Sequence, residues 1–254
     1  MNWVFLSPHL DDVVLSCGGL IWQMVQMGEQ VEILTICAGE PDAENLTPFA
    51  QELHQRWGTG VDAVSIRLEE DQEAMRLIGA QAVYLDVPDC IYRYRLSDGE
   101  PIIQREEDLF SAQPEMSLVA RLAGLLNERL GRESQFPQMV SPFGIGRHVD
   151  HRLTRSVAEQ LEIPLWYYAD YPYILRQPEL IHNLQESGWV SQLYPVPEAG
   201  YQAWQDAVAA YQSQISTFWG SEWEMREAIG GYWATGGGCS LWRRNLTEKQ
   251  EEAL

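Results

Sequence analysis

Hydrophobic and polar positions along the chain alternate between short apolar runs and longer segments with helical spacing. Residues 3–6 form an apolar run that predicts a buried strand. Residues 13–27 repeat apolar side chains at helical spacing, and Gly28 after them is a typical helix stop. Residues 31–37 predict a second strand. A strand, a helix and a strand in this order are typical of a parallel βαβ unit.

The same alternation continues to the end of the chain. Further helices are predicted at residues 48–57, 62–78, 116–130, 149–161 and 201–218. Further strands are predicted at residues 82–87, 138–141 and 164–169, with residues 239–243 as a closing edge strand. The chain length lies in the range that α/β proteins fill as one domain, so we expect a single domain over residues 1–254.

Three irregular segments carry expectations of their own. Residues 39–47 are polar and follow a strand end, so they are a candidate site-lining loop. Residues 90–114 show no clear period, and a loop of this length in a compact domain is usually functional or mobile. Gly18 and Gly19 lie inside the first helix, which they weaken, so we expect them to permit close approach of that helix to the sheet or to a site.

Composition limits the partners and the location of the protein. The hydrophobic content of 45% and the charged content of 21% are typical of a soluble globular chain. A formal net charge of −20 argues against nucleic acid as a partner, because phosphate contacts depend on Lys and Arg. The four cysteines lie far apart without a CxxC pair, which predicts buried thiols in a reducing cytoplasm. We find no signal peptide and no run as long as a membrane span.

The first polar cluster lies in SPHLDDVVLSCGG, residues 7–19, directly after the first predicted strand. His9, Asp11 and Asp12 then lie at the carboxyl end of a strand, where α/β proteins place their chemistry. A divalent metal would balance two adjacent carboxylates beside a histidine. Asp11 or Asp12 could instead cap the following helix, which explains one carboxylate but not both.

The second polar cluster lies in PFGIGRHVDHRLTRSVAEQL, residues 142–161, after another predicted strand. His148 and His151 are three residues apart, so they share a face at the start of the predicted helix. Catalytic zinc typically takes three protein ligands and leaves one position open. His9, Asp12 and one of these two histidines supply such a set for one zinc ion per chain.

Two side chains of the clusters then have no ligand role. Asp11 is placed to take a proton from the attacking water as a general base. The remaining histidine of the second cluster could stabilise the oxyanion or protonate the leaving group. The two clusters together therefore predict a zinc hydrolase.

The sequence PHLDD followed by SCGG, and GRHVDH after a strand, resemble the signatures of the PIG-L/LmbE family of zinc-dependent de-N-acetylases. The likeness extends to RLEEDQEAMRLIGA, to Val87-Pro88-Asp89, to ADYPY at 169–173 and to AVAAYQSQI at 207–215. The resemblance implies a single Rossmann-like three-layer α/β/α domain with a mainly parallel sheet. It also implies a small-molecule amino-sugar conjugate as substrate, typically an N-acetylglucosamine-type group on a lipid, thiol or glycopeptide carrier.

Carried over residue by residue, the resemblance assigns the zinc ligands as His9, Asp12 and His151. It makes Asp11 the general base and His148 the oxyanion or leaving-group histidine, with Asp150 as a partner that orients His148.

The resemblance also suggests substrate contacts and shows two departures from the usual motif. Arg67 and Asp89 match positions that help to hold the sugar, although Arg67 could equally pair with Glu70 on its own helix. Leu10 replaces the usual proline, which loosens the turn but removes no ligand. Val13 replaces the usual glutamate, which is neither a ligand nor the base, so we expect activity to survive.

Two alternatives to a de-N-acetylase remain from the sequence. The first is a binding module on the same fold, in which the metal is structural. Its aromatic second half would bind the partner, and one or two of its tryptophans would line a sugar-sized cleft. A structural metal site needs neither an open position nor a base, so Asp11 and His148 argue against this alternative. Phosphoester hydrolysis would require more metal ligands and a basic clamp, which the sequence lacks.

Overall fold

A computed structural model describes residues 1–132 and 135–245 of the chain. The strands in this part are β1 (Asn2–Ser7), β2 (Gln30–Thr35), β3 (Gln81–Tyr84), β4 (Gln138–Pro142), β5 (Leu165–Tyr168), β6 (Trp189–Leu193) and β7 (Ser240–Arg244). They form one sheet in the order β3-β2-β1-β4-β5-β7-β6. Strands β1 to β5 are parallel, whereas β7 pairs antiparallel with β5 and β6 antiparallel with β7.

Helices connect the strands and cover both faces of the sheet. Within the described residues they are α1 (Asp12–Gln26), α2 (Pro48–Trp57), α3 (Ala63–Ile78), α4 (Asp108–Ser111), α5 (Met116–Leu130), α6 (Val149–Ala158), α7 (Glu179–Glu186), α8 (Glu198–Ala210), α9 (Gln212–Phe218) and α10 (Glu222–Ala234). Within the same residues, every helix is too short or too polar to cross a membrane.

The interior strand β1 shows why the fold has three layers. Its side chains alternate between the two faces of the sheet, as the pleat requires. Trp3 and Phe5 belong to the core cluster built with α1 and α8, whereas Val4 and Leu6 belong to the cluster built with α5 and α6. The expected three-layer α/β/α architecture with a mainly parallel sheet is therefore confirmed.

Two predicted elements at the C-terminal end were wrong. Residues 239–243 were expected at the sheet edge, but β7 lies between β5 and β6. The edge strand β6 was missed because most of its side chains are exposed and its apolar pattern is weak. The predicted helix at 201–218 is two helices, α8 and α9, because the backbone leaves the helical conformation at Tyr211 (φ −79°, ψ 61°).

Tyr211 is held at this break by hydrogen bonds of its hydroxyl group. The hydroxyl lies 2.7 Å from Oδ1 of Asp71 on α3 and 2.9 Å from the carbonyl oxygen of Leu10. The Tyr84 hydroxyl donates to Oδ2 of Asp71 over 2.7 Å. Burial raises the pKa of Asp71 to about 7, although the bonds from Tyr211 and Tyr84 oppose this shift. A protonated Asp71 can donate to Tyr211, which then donates to Leu10, so the protonated network is fully paired.

This network predicts a pH dependence of stability. The pKa of Asp71 is about 7 in the folded chain, compared with 3.8 for an aspartate that the fold does not perturb. The raised pKa of Asp71 therefore adds on the order of a few kcal/mol to the free energy of unfolding below about pH 4. This contribution is lost as the pH rises through 7. Asp71→Asn should remove this loss, so that the difference in unfolding free energy between pH 5 and pH 8, measured by urea denaturation, shrinks. An unchanged difference would contradict the prediction.

The adjacent glycines of α1 permit the close approach of another helix rather than of the sheet. A Cβ atom on Gly18 would lie 2.7 Å from Cδ1 of Trp204 on α8, and one on Gly19 would lie 3.0 Å from Cε3 of the same indole. The Trp204 Nε1–H donates to the carbonyl oxygen of Val14 over 2.6 Å. Cys17 next to this bond is non-helical (φ −153°, ψ 29°). Insertion of the indole into the hydrogen-bond ladder explains this kink.

Gly18→Ala should destabilise the protein by about 1–3 kcal/mol, because the new methyl group overlaps the buried Trp204. Gly124 on α5 is the matched control, since a Cβ atom there meets nothing within 4 Å. Gly124→Ala should raise stability by up to about 1 kcal/mol through helix propensity. Urea denaturation of both variants measures the contrast, and equal effects of the two substitutions would refute the packing argument.

Candidate active site

The two polar clusters meet where the sheet topology changes direction. Strands β1 and β4 are neighbours, and α1 follows β1 on one face of the sheet while α6 follows β4 on the other. Such a switch point leaves a crevice beyond the carboxyl ends of the strands, where α/β proteins bind ligands. His9 and Asp11 lie in the turn after β1, and His148 and His151 lie at the start of α6.

The carboxylate of Asp12 lies between two imidazole rings. Its Oδ2 is 2.9 Å from Nδ1 of His9, and its Oδ1 is 3.2 Å from Nε2 of His151. The backbone N–H of His9 also donates to Oδ2, which fixes the carboxylate in the turn. Ring nitrogens of His9, His148 and His151 all lie within 4.8 Å of one another. The structure therefore brings together the predicted ligands His9, Asp12 and His151, all of them buried.

A carboxylate that the sequence analysis did not single out orients His151. The imidazole Nδ1 lies 2.7 Å from Oδ1 of Asp170, whose Oδ2 accepts the backbone N–H of Ile145. This contact directs Nε2 of His151 toward Asp12. Asp170 follows β5, and its position after a predicted strand within ADYPY was the signal that could have identified it.

The carboxylate of Asp150 has other partners than the expected one. It accepts bonds from Nη2 of Arg93 over 2.6 Å and from the backbone N–H of Cys90 over 2.9 Å. Its Oδ2 also lies 3.2 Å from Nε2 of His9. Only the backbone N–H of Asp150 reaches His148, where it donates to Nδ1 over 3.3 Å. Asp150 therefore contacts His148 through its backbone N–H, while its carboxylate is bound by Arg93 and Cys90. The orienting role of Asp150 toward His148 stays a prediction.

His148 is the N-cap of α6, with its ring facing the cavity. Because Nδ1 accepts the Asp150 N–H, the neutral ring carries its proton on Nε2. Burial, with the neighbouring His9 and His151, lowers the pKa of His148 to about 3. The arrangement thus favours a neutral hydrogen-bond donor at this position.

Asp11 is buried beside the ligand cluster without a capping role. It occupies the N-cap position of α1, but its side chain makes no capping hydrogen bond, so the cap alternative does not hold for it. Burial and the adjacent Asp12 raise the pKa of Asp11, against the opposing charge of Arg67. Nη2 of Arg67 lies 3.6 Å from Oδ1 of Asp11. Glu70, the alternative partner of Arg67, instead accepts the N–H and hydroxyl of Ser213.

The donor set fits a divalent metal such as zinc. Two imidazoles and one carboxylate converge at hydrogen-bond distances, which is a common mixed ligand set for catalytic zinc. Burial alone would lower the pKa of His151, but Asp12 and Asp170 raise it to about 10. The surrounding carboxylates therefore favour positive charge at this point, and a bound cation would supply it.

A cavity of about 240 Å³ opens above the cluster. Its walls include the predicted substrate residues Arg67 and Asp89 together with the aromatic side chains of Trp57, Phe110, Tyr173 and Phe218. Tyr173 packs against the ring of His151, and Phe110 packs edge-on against His148. A Cβ atom on Gly146 would lie 2.4 Å from the Tyr173 ring, so only a glycine at this position lets Tyr173 pack here as part of the cavity wall.

The cavity walls also correct two expectations. No residue from 39 to 47 lines the cavity, so the site-lining role of that loop was wrong. The loop is structural, since the Thr47 hydroxyl donates to the carbonyl of Ile91. The tryptophan on the wall is Trp57 rather than one from the second half of the chain. The long segment at 90–114 does line the cavity, through Ile91, Glu106, Leu109 and Phe110.

All four cysteines are buried free thiols, as predicted.

Sequence comparison shows the family of the chain. The profile of the PIG-L family, described as GlcNAc-PI de-N-acetylase, matches residues 4–162. The chain belongs to the PIG-L family. The matched segment contains both polar clusters, so the resemblance seen in the motifs is confirmed.

Individual relatives extend the similarity over nearly the whole chain. The 2'-N-acetylparomamine deacetylase of Niallia circulans is 31% identical over 260 residues, with 90% of this chain and 86% of the relative covered. The zinc-inhibited form of a teicoplanin deacetylase is 25% identical with a TM-score of 0.79, covering 98% and 99% of the two chains. The deacetylase of A40926 pseudoaglycone is 26% identical with a TM-score of 0.74, covering 97% and 98%.

Proposed function

We propose that this protein is a zinc-dependent hydrolase that removes the N-acetyl group from an amino-sugar conjugate. The observation that carries the proposal is the position of Asp12 between His9 and His151, with Asp11 and His148 beside them in the same cavity. A family of de-N-acetylases and relatives named as deacetylases support an amide-hydrolysing enzyme.

The proposed mechanism divides the cavity residues by role. One zinc ion would be held by His9, Asp12 and His151, and when bound it would supply Lewis-acid polarisation of the scissile amide. Asp11 takes the proton from the attacking water and is held for this by Arg67. His148 donates its Nε2–H to the oxygen on which negative charge develops.

The cavity walls support an amino-sugar substrate. Flat aromatic side chains offer apolar faces to a sugar ring, while Arg67 and Asp89 offer polar contacts to its hydroxyl groups. One relative is named as a 2'-N-acetylparomamine deacetylase and another as a teicoplanin deacetylase, which supports removal of an acetyl group. The sugar-binding role of Arg67 and Asp89 and the cytoplasmic location remain predictions.

The wild-type enzyme provides the direct test. Zinc-loaded protein should release free amine from at least one member of a panel of N-acetylglucosaminyl compounds and 2'-N-acetylparomamine. Removal of the metal with a chelator should abolish the release, and zinc should restore it. Metal binding without amine release from any member would favour the binding-module alternative.

His148→Ala separates the enzyme from the binding module. The substitution removes a donor that acts on the transition state, so kcat should fall on the order of 10²–10³-fold while KM changes little. Steady-state kinetics with the best panel substrate measure both constants. A near-normal kcat with a raised KM would contradict the assigned role.

A further inference from the structure

Arg93 is a buried charged residue that the proposed mechanism does not use. It follows the 3₁₀ turn Cys90–Tyr92 in the segment at 90–114, and its exposed fraction is 8%. Its Nη1 donates to the carbonyl oxygen of Pro88 over 2.9 Å, and its Nε donates to Glu115 over 3.1 Å. Its Nη2 donates to Oδ1 of Asp150 over 2.6 Å. Arg93 is therefore held in one orientation by three oxygen partners.

Stability alone is a weak reason for such a buried pair. Removal of two charges from water is expensive, and well-packed apolar side chains often stabilise a core as well as an ion pair does. Arg93 and Asp150 both lie next to the proposed metal site rather than elsewhere in the core. Their position indicates that the pair contributes to the function of that site.

This contribution follows from the chemistry of the Asp150 carboxylate. An ionised carboxylate only accepts hydrogen bonds, so its contact with His9 requires a proton on Nε2 of the imidazole. By the same rule, Nδ1 carries a proton toward the Asp12 carboxylate at 2.9 Å while no metal is bound. A metal ion held between His9 and Asp12 would replace the Nδ1 proton and take its lone pair, whereas the Nε2 proton would stay on the side of Asp150. A carboxylate that fixes the tautomer of a ligating histidine is a general feature of metal sites.

We propose that Arg93 is a positioning residue for the metal site, which holds the Asp150 carboxylate against Nε2 of His9 and so directs Nδ1 toward the metal. This inference rests on the proposed zinc site. Without Arg93, Asp150 keeps the N–H of Cys90 but loses the cation that fixes its other oxygen. The carboxylate then has freedom to turn away from His9, and Nε2 is left with only the longer contact to Asp89 at 3.4 Å, so the orientation of the ring is less well fixed.

The test measures zinc affinity by competition with a chromophoric chelator, using the whole protein and zinc alone. Arg93→Met and Asp150→Asn should each weaken zinc binding by about 10–100-fold. If Arg93 acts through Asp150, the double variant should bind zinc no more weakly than Asp150→Asn alone. Arg93→Lys, which keeps a cation, should recover part of the affinity. Arg129→Met is the control, since Arg129 pairs with Glu32 on β2 instead and should leave zinc affinity unchanged.

Thermal unfolding of each variant separates this role from a merely structural one. A destabilised Arg93→Met with wild-type zinc affinity below its melting temperature would overturn the inference, as would losses that simply add in the double variant. If Arg93→Met does not fold, Asp150→Asn with wild-type affinity overturns it equally. Wild-type protein that binds zinc but releases no amine would defeat the proposed function and leave this inference standing. Wild-type protein that binds no zinc would overturn both.

Discussion

Asp11→Asn is expected to keep the bound metal and to lose about 10²–10⁴-fold in kcat, the typical contribution of a general base. Asparagine preserves the shape of the side chain but cannot accept the proton. Asp11 lies beside the proposed ligand Asp12 without contacting either proposed ligand histidine at hydrogen-bond distance, so the proposed ligand set should survive the change. The raised pKa of Asp11, caused first by burial and then by Asp12, makes it a stronger base than an exposed aspartate.

Kinetics and metal analysis of the same preparation check this result. Asp62→Asn is the matched control, because Asp62 is an exposed aspartate whose side chain caps no helix. The control should retain wild-type kcat within a few-fold. An Asp11→Asn enzyme of similar activity to this control would mean that another group accepts the proton.

His151→Ala is expected to remove the metal and with it essentially all activity. The substitution takes away one of the three proposed ligands and leaves the carboxylates of Asp12 and Asp170 facing a small void without their shared imidazole. Loss of a ligand should exceed the 10–100-fold effect of an outer partner on metal affinity. Elemental analysis after gel filtration measures the metal content.

His54→Gln provides the control for metal content. His54 is also buried, but it lies on α2 and contacts the Tyr92 hydroxyl rather than the ligand cluster. The variant should carry as much zinc as the wild type. Zinc retained by His151→Ala at the wild-type level would refute the assignment of the ligand set.

The sequence could predict which residues meet in the candidate site because they come in two short clusters at strand ends. His9 and His151 are 142 positions apart, yet each follows a strand whose carboxyl end reaches the same crevice. Parallel strands bring such clusters together regardless of the distance along the chain. The partners of the Asp150 carboxylate could not be predicted for the opposite reason, since the fold and not the sequence spacing brings Arg93 and Cys90 to it.

Arg93 and Trp204 show what the sequence could not reveal. Arg93 lies in a segment without hydrophobic period, and nothing local marks an arginine that binds a carboxylate 57 positions away. Trp204 resembles any buried tryptophan of a helix, and only the fold shows that its indole enters α1. The break at Tyr211 likewise results from tertiary hydrogen bonds that override helical spacing.

The adjacency of β1 and β4 has a consequence for biosynthesis. β1 pairs with β2 early in the chain, but its second neighbour β4 begins only at Gln138. During translation, His9 and Asp12 are made long before His151, so the nascent chain cannot assemble the three-residue set until more than half of its length has emerged. Docking of β4 is a pairing of high contact order, which makes it slow. We therefore expect the N-terminal βαβ unit to form first, and the ability to capture the ion to appear as a late and abrupt event of folding.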